Sequence, residues 1–252
     1  MNKDFFYIAN WKMYWGFDET IAFATDHYDE LVKLASAPSA NIILCPSSPA
    51  LYPLAQMFQE TPIALGAQDC SGYRNGSFTG QISAQQLHEA GSTFCIIGHS
   101  ERRQYNAETN LEVAKKLEQL ITEKITPIVC IGETEEQFKQ GQSLTLLDQQ
   151  IAPIRELLAK NPHALTTPLL IAYEPTWSIG SNTLAPQDHL ETVFAWLSKT
   201  ATKEIPTINK KLIYGGSVTA QNTDQLKKIS LIDGFLIGRA SLDFQEFKKI
   251  VK

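Results

Sequence analysis

Short apolar runs alternate with stretches of helical periodicity along most of the chain. Each run has four or five residues and is apolar at successive positions, a pattern typical of parallel strands covered on both faces. There are eight such runs, at residues 5–9, 41–45, 63–67, 93–97, 127–131, 169–173, 211–214 and 234–237. The intervening segments are long enough for the crossover connections that parallel strands require.

Amphipathic spacing between the runs predicts the helices. Apolar positions three and four residues apart predict one helix through Ile21, Ala24, Tyr28, Leu31 and Ala35, and another through Leu111, Ala114, Leu117 and Ile121. Gly141 and Pro153 interrupt residues 135–160, for which we expect a short helix, a break, and a second helix kinked or begun near the proline.

Eight strand and helix units in 252 residues predict the α/β class, with a closed (β/α)8 TIM barrel of eight parallel strands, each followed by a helix. An open doubly wound sheet is the alternative. No linker composition divides the chain, so we expect a single barrel domain over residues 1–252.

The composition and charge limit which binding partners and which cellular compartment we expect for the protein. A formal net charge of -5 without a basic cluster argues against a nucleic acid or a membrane surface as partner. We find neither a signal peptide nor a segment apolar enough to span a bilayer, and expect a cytoplasmic protein. The cysteines, Cys45, Cys70, Cys95 and Cys130, are widely spaced and predicted to be buried free thiols.

The candidate chemistry follows from a rule of barrel enzymes, whose reacting groups lie at the C-terminal ends of the strands. Residues with reactive or anion-binding groups follow five of the predicted strands. They are Asn10 and Lys12 after the first, His99 after the fourth, Glu174 after the sixth, Gly215-Gly216-Ser217 after the seventh and Gly238 after the eighth. All of them are expected to face one space.

Three of these side chains suit proton transfer. Burial at a strand end is expected to raise the pKa of Glu174 toward that of a working base. His99 precedes a predicted helical turn, where an imidazole is disfavoured as a cation and would act as a neutral hydrogen-bond donor. Lys12 could hold a phosphate or stabilise an enolate. Taken singly, each could instead be a solvated charge or a core histidine. The other histidines, His27, His88, His163 and His189, are expected at the surface.

Other chemistries find little support in the sequence. No cluster has metal-ligand spacing and no glycine-rich dinucleotide motif follows the first strand, so we predict proton transfer without a metal or cofactor. A carboxylate, a neutral imidazole and a phosphate grip suit removal of a proton next to a carbonyl and its return to the neighbouring carbon. A Schiff-base aldolase and a non-catalytic binding barrel are the alternatives.

Several motifs together resemble one family. Asn10-Trp11-Lys12-Met13, Gly98-His99-Ser100-Glu101-Arg102-Arg103, Tyr173-Glu174-Pro175, Ile179-Gly180 and Tyr214-Gly215-Gly216-Ser217-Val218 occur in the order found in triosephosphate isomerases. The resemblance implies interconversion of dihydroxyacetone phosphate and glyceraldehyde 3-phosphate through an enediolate, in glycolysis and gluconeogenesis.

The same resemblance assigns roles to individual residues. It implies Glu174 as base and His99 as electrophile, with a lid that closes over the site. It implies that Asn10 and Lys12 bind substrate and that backbone N–H groups receive the phosphate, those of Gly180, Ser217, Gly238 and Arg239. Glu101 and Cys130 would support the site. A homodimer would form through the loop around Phe78, Thr79 and Gly80.

The chain departs from the family pattern at several positions. The lid, residues 178–182, carries Ser178 and Asn182 where alanine and glycine are usual, and Gln81 replaces a glutamate of the dimer loop. Ala9 and Tyr14 also differ. Arg239 replaces a glycine, and we expect it to keep a negative φ with its side chain turned away from the phosphate. In that case Arg239→Gly would leave KM nearly unchanged.

Overall fold

Eight parallel strands close into a barrel in the order of the sequence. The computed structural model describes residues 4–161, 163–180, 184–199, 203 and 208–252. The strands are β1 (Phe5–Asn10), β2 (Ala40–Cys45), β3 (Ala64–Ala67), β4 (Phe94–Ile97), β5 (Thr126–Ile131), β6 (Leu169–Tyr173), β7 (Lys210–Tyr214) and β8 (Gly234–Ile237). Because β8 pairs with β1, the closed barrel is confirmed and the open sheet is wrong.

Helices follow every strand and surround the barrel. Those in the described residues are α1 (Phe17–Asp26), α2 (Tyr28–Ala35), α3 (Ser48–Met57), α4 (Ala84–Glu89), α5 (Ser100–Asn106), α6 (Asn110–Thr122), α7 (Glu135–Lys139), α8 (Ser143–Lys160), α9 (Gln187–Lys199), α10 (Thr223–Lys227) and α11 (Phe244–Val251). A short 3-10 helix, Arg239–Leu242, lies between β8 and α11.

Two helix predictions needed correction. The first predicted helix is two helices, α1 and α2, which meet at His27. His27 stacks there on Phe244 of α11, with ring centroids 4.2 Å apart, a long-range contact that local periodicity does not report. In α6 the buried face passes through Val113, Leu117 and Leu120, whereas Leu111 is 66% exposed.

The break at Gly141 is confirmed, but the helix after it does not begin near Pro153. It starts at Ser143 and continues through the proline. Leu147, Ile151 and Ile154 form one buried face on both sides of Pro153. Packing of that face compensates for the loss of the one backbone hydrogen bond that the proline cannot make.

Alternation along the strands separates two layers of core. One cluster of buried residues contains strand residues only and fills the barrel interior, as Leu170 and Ala172 of β6 show. Ile171 and Tyr173 point outward to the helices. Glu174 comes next and continues the alternation, so its side chain turns inward at the mouth of the barrel.

Two expectations from composition can be compared with the fold. All four cysteines are free and buried, as predicted. No helix in the described part of the chain has the length and apolar character needed to cross a membrane.

Candidate active site

A cavity of about 380 Å³ opens at the C-terminal ends of the strands. The structure brings all the predicted catalytic and substrate-binding residues to its wall, although they are far apart in the sequence. They are Asn10, Lys12, His99, Glu174, Gly180, Ser217, Gly238 and Arg239. The residues predicted from the barrel rule therefore do share one space, and Gly180, which the resemblance added, lines it with them.

The carboxylate of Glu174 is buried at the base of this cavity, with 1% of the residue exposed. Its Oε1 lies 3.1 Å from Nε2 of His99, and its Oε2 accepts the backbone N–H of Ser100 at 3.0 Å. A backbone hydrogen bond fixes the end of β6 to β5, since the Glu174 N–H donates to the carbonyl of Ile131 at 2.7 Å. Both carboxylate oxygens are thus engaged in this arrangement.

The expected rise in the pKa of Glu174 is wrong for this arrangement. Burial does raise the pKa, but the His99 imidazole, the Ser100 N–H and the Lys12 ammonium together lower it below its ordinary value. Each of these groups stabilises the ionised form. Glu174 is therefore ionised at neutral pH and is a weak base while these contacts last.

His99 lies between β4 and α5, at the N-cap of that helix. Its Nδ1 accepts the backbone N–H of Glu101 at 3.2 Å, so a neutral ring carries its proton on Nε2, facing Glu174. Burial lowers the pKa of His99, but the carboxylates of Glu174 and Glu101 raise it above its ordinary value. The prediction that the cation is disfavoured is therefore wrong while Glu174 remains beside the ring.

Lys12 has a constrained backbone and a directed side chain. Its φ is 50°, a left-handed conformation that is uncommon outside glycine. The side chain of Asn10 accepts its N–H at 3.1 Å, and the amide of Gln68 donates to its carbonyl at 2.8 Å. Its Nζ donates to Glu101 at 2.6 Å. These contacts hold the ammonium at the cavity despite the strained backbone.

Cys130 lies on β5 next to this group. Burial and the neighbouring Glu174 carboxylate raise the pKa of its thiol well above the ordinary value. The thiol therefore stays protonated and packs behind the carboxylate as a small apolar group. Like Glu101, it contacts the residues that the resemblance says it supports.

Glycine-containing turns form another part of the wall, next to Lys12 and Glu174. Gly180 has a φ of 70°, and a Cβ built on Gly238 would lie 3.4 Å from Cε of Lys12. The N–H of Ser217 donates to Oγ of Ser178 at 3.3 Å. Arg239 is exposed and starts the 3-10 helix. Its φ is not positive, as predicted, and the direction of its side chain remains a prediction.

Two loops depart from the family pattern, and the structure describes the lid only in part. In the lid, Asn182 lies outside the described residues, whereas Ser178 is buried. The loop between β3 and α4 has neither strand nor helix, as expected for the predicted dimer loop. Within it Gln81 accepts the hydroxyl of Ser71 at 2.5 Å, so its side chain braces the loop from inside.

Sequence reasoning missed several residues that hold the site. Ser100 acts through its backbone and Gln68 is a single amide after a strand, so neither has a sequence signal. His189 was expected at the surface and is instead partly buried, 2.7 Å from the hydroxyl of Tyr173. That prediction is wrong because α9 packs this face of His189 against β6, next to the buried carboxylate of Glu133.

The fold and site define a class of protein. A closed parallel barrel that brings a carboxylate, an imidazole and an ammonium to one cavity is typical of barrel enzymes that transfer protons. Among the described residues no group of three or more His, Cys, Asp or Glu side chains is placed to hold a metal ion.

Comparisons with known proteins identify the family. A family model described as triosephosphate isomerase matches residues 5–252. The chain is 36% identical to the triosephosphate isomerase of Aquifex aeolicus, over 96% of each chain, and 33% identical to that of Thermus thermophilus, over 97% of this chain and 96% of that one. The crystal structure of the Bartonella henselae enzyme superposes with a TM-score of 0.80 at 28% identity, covering 98% of this chain and 97% of that one. The chain belongs to the triosephosphate isomerase family.

Proposed function

We infer that the protein interconverts dihydroxyacetone phosphate and D-glyceraldehyde 3-phosphate, an isomerisation that serves glycolysis and gluconeogenesis. One observation carries the assignment of the site. A buried carboxylate, Glu174, lies 3.1 Å from the imidazole of His99, in a cavity that Lys12 also lines. Family membership supports the same reaction.

The reaction consists of two proton transfers at carbon and one between the two oxygens. Glu174 removes a proton from the carbon that bears the hydroxyl, next to the carbonyl, and the electron pair moves to the carbonyl oxygen. His99 donates a hydrogen bond from Nε2 to that oxygen, and the ammonium of Lys12 stabilises the developing negative charge. Glu174 then gives the proton to the neighbouring carbon while the hydroxyl proton passes to the former carbonyl oxygen, so that a new carbonyl and a new hydroxyl complete the isomerisation.

Substrate must first release Glu174 from its contacts. Once the carboxylate leaves His99 and the Ser100 N–H, burial dominates and raises its pKa, which makes it a stronger base. The same movement removes the carboxylate that raises the pKa of His99, so the imidazole becomes the neutral donor that the reaction needs. The resting contacts therefore keep both groups inactive until the cavity is filled.

We place the phosphate at the glycine-containing turns. We assign it to the backbone N–H groups of Gly180, Ser217, Gly238 and Arg239, with Asn10 fixing the backbone of Lys12 beside them. The Ser217 N–H donates to Ser178 in this arrangement, so the phosphate has to displace the Ser178 hydroxyl. The protein is proposed to work in the cytoplasm.

The proposed reaction predicts a specific isotope pattern. With glyceraldehyde 3-phosphate as substrate, we expect formation of dihydroxyacetone phosphate in a coupled assay. In deuterated water the product should acquire deuterium at the carbon next to the carbonyl, because the proton on Glu174 exchanges with solvent. Turnover without such incorporation would indicate hydride transfer and exclude the mechanism.

We further propose a homodimer formed through the loop around Phe78, Thr79 and Gly80. The rings of Tyr73 and Phe78 stack 4.0 Å apart in this loop and stay 45% and 36% exposed. Met13, next to the cavity residue Lys12, is 93% exposed. Exposed apolar side chains at a loop and at the mouth of the site suit burial against a second copy.

Sedimentation tests the dimer. At micromolar concentration we expect a species of about twice the 28.1 kDa of one chain. Thr79→Arg places a charge at the proposed contact and should shift the protein toward the monomer with loss of activity. Thr192→Arg on the exposed face of α9 makes the same change elsewhere and should leave the dimer intact. A fully active wild-type monomer would contradict the proposal.

A further inference from the structure

A buried polar cluster lies directly beneath the lid, on the side of β6 that faces the helices. It consists of Glu133, whose residue is fully buried, together with Tyr173 and His189. Tyr173 precedes Glu174 in the chain but points to the opposite side of the strand. The cluster therefore borders the site without lining its cavity.

The protons available in this cluster determine which group donates each hydrogen bond. The Tyr173 hydroxyl donates its single proton to Oε1 of Glu133 at 2.8 Å. His189 Nε2 lies 2.7 Å from the same hydroxyl oxygen and 3.3 Å from Oε1 of Glu133. A carboxylate only accepts hydrogen bonds, and the tyrosine proton is already used, so these contacts require a proton on Nε2 of His189. His189 is thus a donor to both partners.

The cluster is joined by two independent contacts to Thr176 and Trp177, which form the base of the lid. The backbone carbonyl of Glu133 accepts both the N–H and the hydroxyl of Thr176, at 3.1 and 3.0 Å. Trp177 stacks on Phe138 with centroids 4.7 Å apart, and Phe138 packs edge-on against His189 at 4.6 Å. Movement of His189 would disturb both contacts.

We propose that His189 is a positioning residue for the isomerase reaction, which holds the base of the lid through Glu133 and Tyr173. This inference rests on the function proposed above. If the Nε2 donor is lost, the buried carboxylate and hydroxyl lose a partner and shift, and the attached lid turn shifts with them. His189 itself does not touch the substrate.

If the lid closes incompletely over the enediolate, a side reaction becomes possible, and its product can be measured. The enediolate carries its phosphate on the carbon next to the double bond, and its electrons can expel that group. The C–O bond to phosphate breaks and a new carbon–carbon double bond forms, which releases inorganic phosphate and an enol. The enol moves its hydroxyl proton to carbon and becomes an α-oxoaldehyde. A closed lid suppresses such side reactions. The ratio of phosphate released to triose phosphate isomerised therefore reports on the lid rather than on overall stability.

Three variants separate the hydrogen bond from packing. His189→Gln keeps an N–H donor at the same distance along the side chain, whereas His189→Leu removes it. His88→Leu makes the same change at an exposed position of α4. Wild-type protein, the three variants and His189→Asn, whose donor is one atom too short, are compared after circular dichroism shows a native fold. His189→Asn replaces the leucine variant if the latter does not fold.

We expect His189→Leu to lower kcat about tenfold and to raise the phosphate release ratio by a similar factor. His189→Gln and His88→Leu should stay within about twofold of wild type in both measurements. An unchanged release ratio in His189→Leu would overturn the inference, as would a glutamine variant as defective as the leucine variant. Absence of isomerisation by the wild-type protein would instead refute the proposed function, so the two failures are distinguishable.

Discussion

Replacement of Glu174 by glutamine is expected to lower kcat by about 10³-fold or more while the barrel remains folded. Glutamine has nearly the same volume, and its carbonyl oxygen can still accept the Ser100 N–H that Glu174 accepts at 3.0 Å. It cannot take a proton from carbon. Deuterium incorporation from the solvent should fall in parallel with kcat, and KM should change little because the phosphate wall is untouched.

A matched carboxylate elsewhere provides the control. Glu135 starts α7 and pairs with Lys139 at 2.6 Å, with 59% of its side chain exposed. Glu135→Gln makes the same chemical change outside the cavity, so kcat should stay within about twofold of wild type, because exposed ion pairs contribute little. If Glu174→Gln retained a tenth of the wild-type kcat and still incorporated deuterium, another group would have to be the base.

Substitution of Gly132 by alanine is expected to impair catalysis without altering any reacting group. A Cβ at this position would lie 1.8 Å from the carbonyl oxygen of Glu174. Neither side can yield easily, because the side chain of Gln150 binds both the N–H and the carbonyl of Gly132 at 2.8 Å. The end of β6 must therefore move. A displacement of about 1 Å at the base costs roughly 100-fold in rate, and we expect kcat to fall by about that factor.

The same clash should reduce stability. Overpacking typically costs about 1–3 kcal/mol, and each kcal/mol lowers Tm by roughly 2–4 °C for a chain of this size. Gly16→Ala is the control, since Gly16 has a φ of -69° and its Cβ would lie 3.6 Å from the nearest atom. It should cost no more than about 1 kcal/mol and leave kcat unchanged. A Gly132→Ala protein with wild-type kcat would show that the strand end does not position the base.

Much of this fold is readable from local pattern. All eight predicted strands agree with the observed ones to within one residue at each end, and β6 and β8 agree at both ends. Strands buried on both faces leave uninterrupted apolar runs, and the turns that follow them interrupt the pattern. The helices were predicted less well. Which side chains form the buried face of a helix depends on where the helix begins, and the predicted face of α6 included Leu111, which is exposed.

The sequence alone determined the alternation of strands and helices, and therefore the barrel, and it determined which side chains follow the strands at its mouth. Only the tertiary structure decided how those side chains act on one another. Glu174 has a lowered pKa and His99 a raised one because they lie 3.1 Å apart, although they follow different strands, β6 and β4, and are far apart in the chain. The partly buried His189 and the left-handed backbone of Lys12 follow from the same kind of contact. Electrostatic and hydrogen-bond energies depend on distances between groups from different elements, and local sequence pattern does not contain those distances.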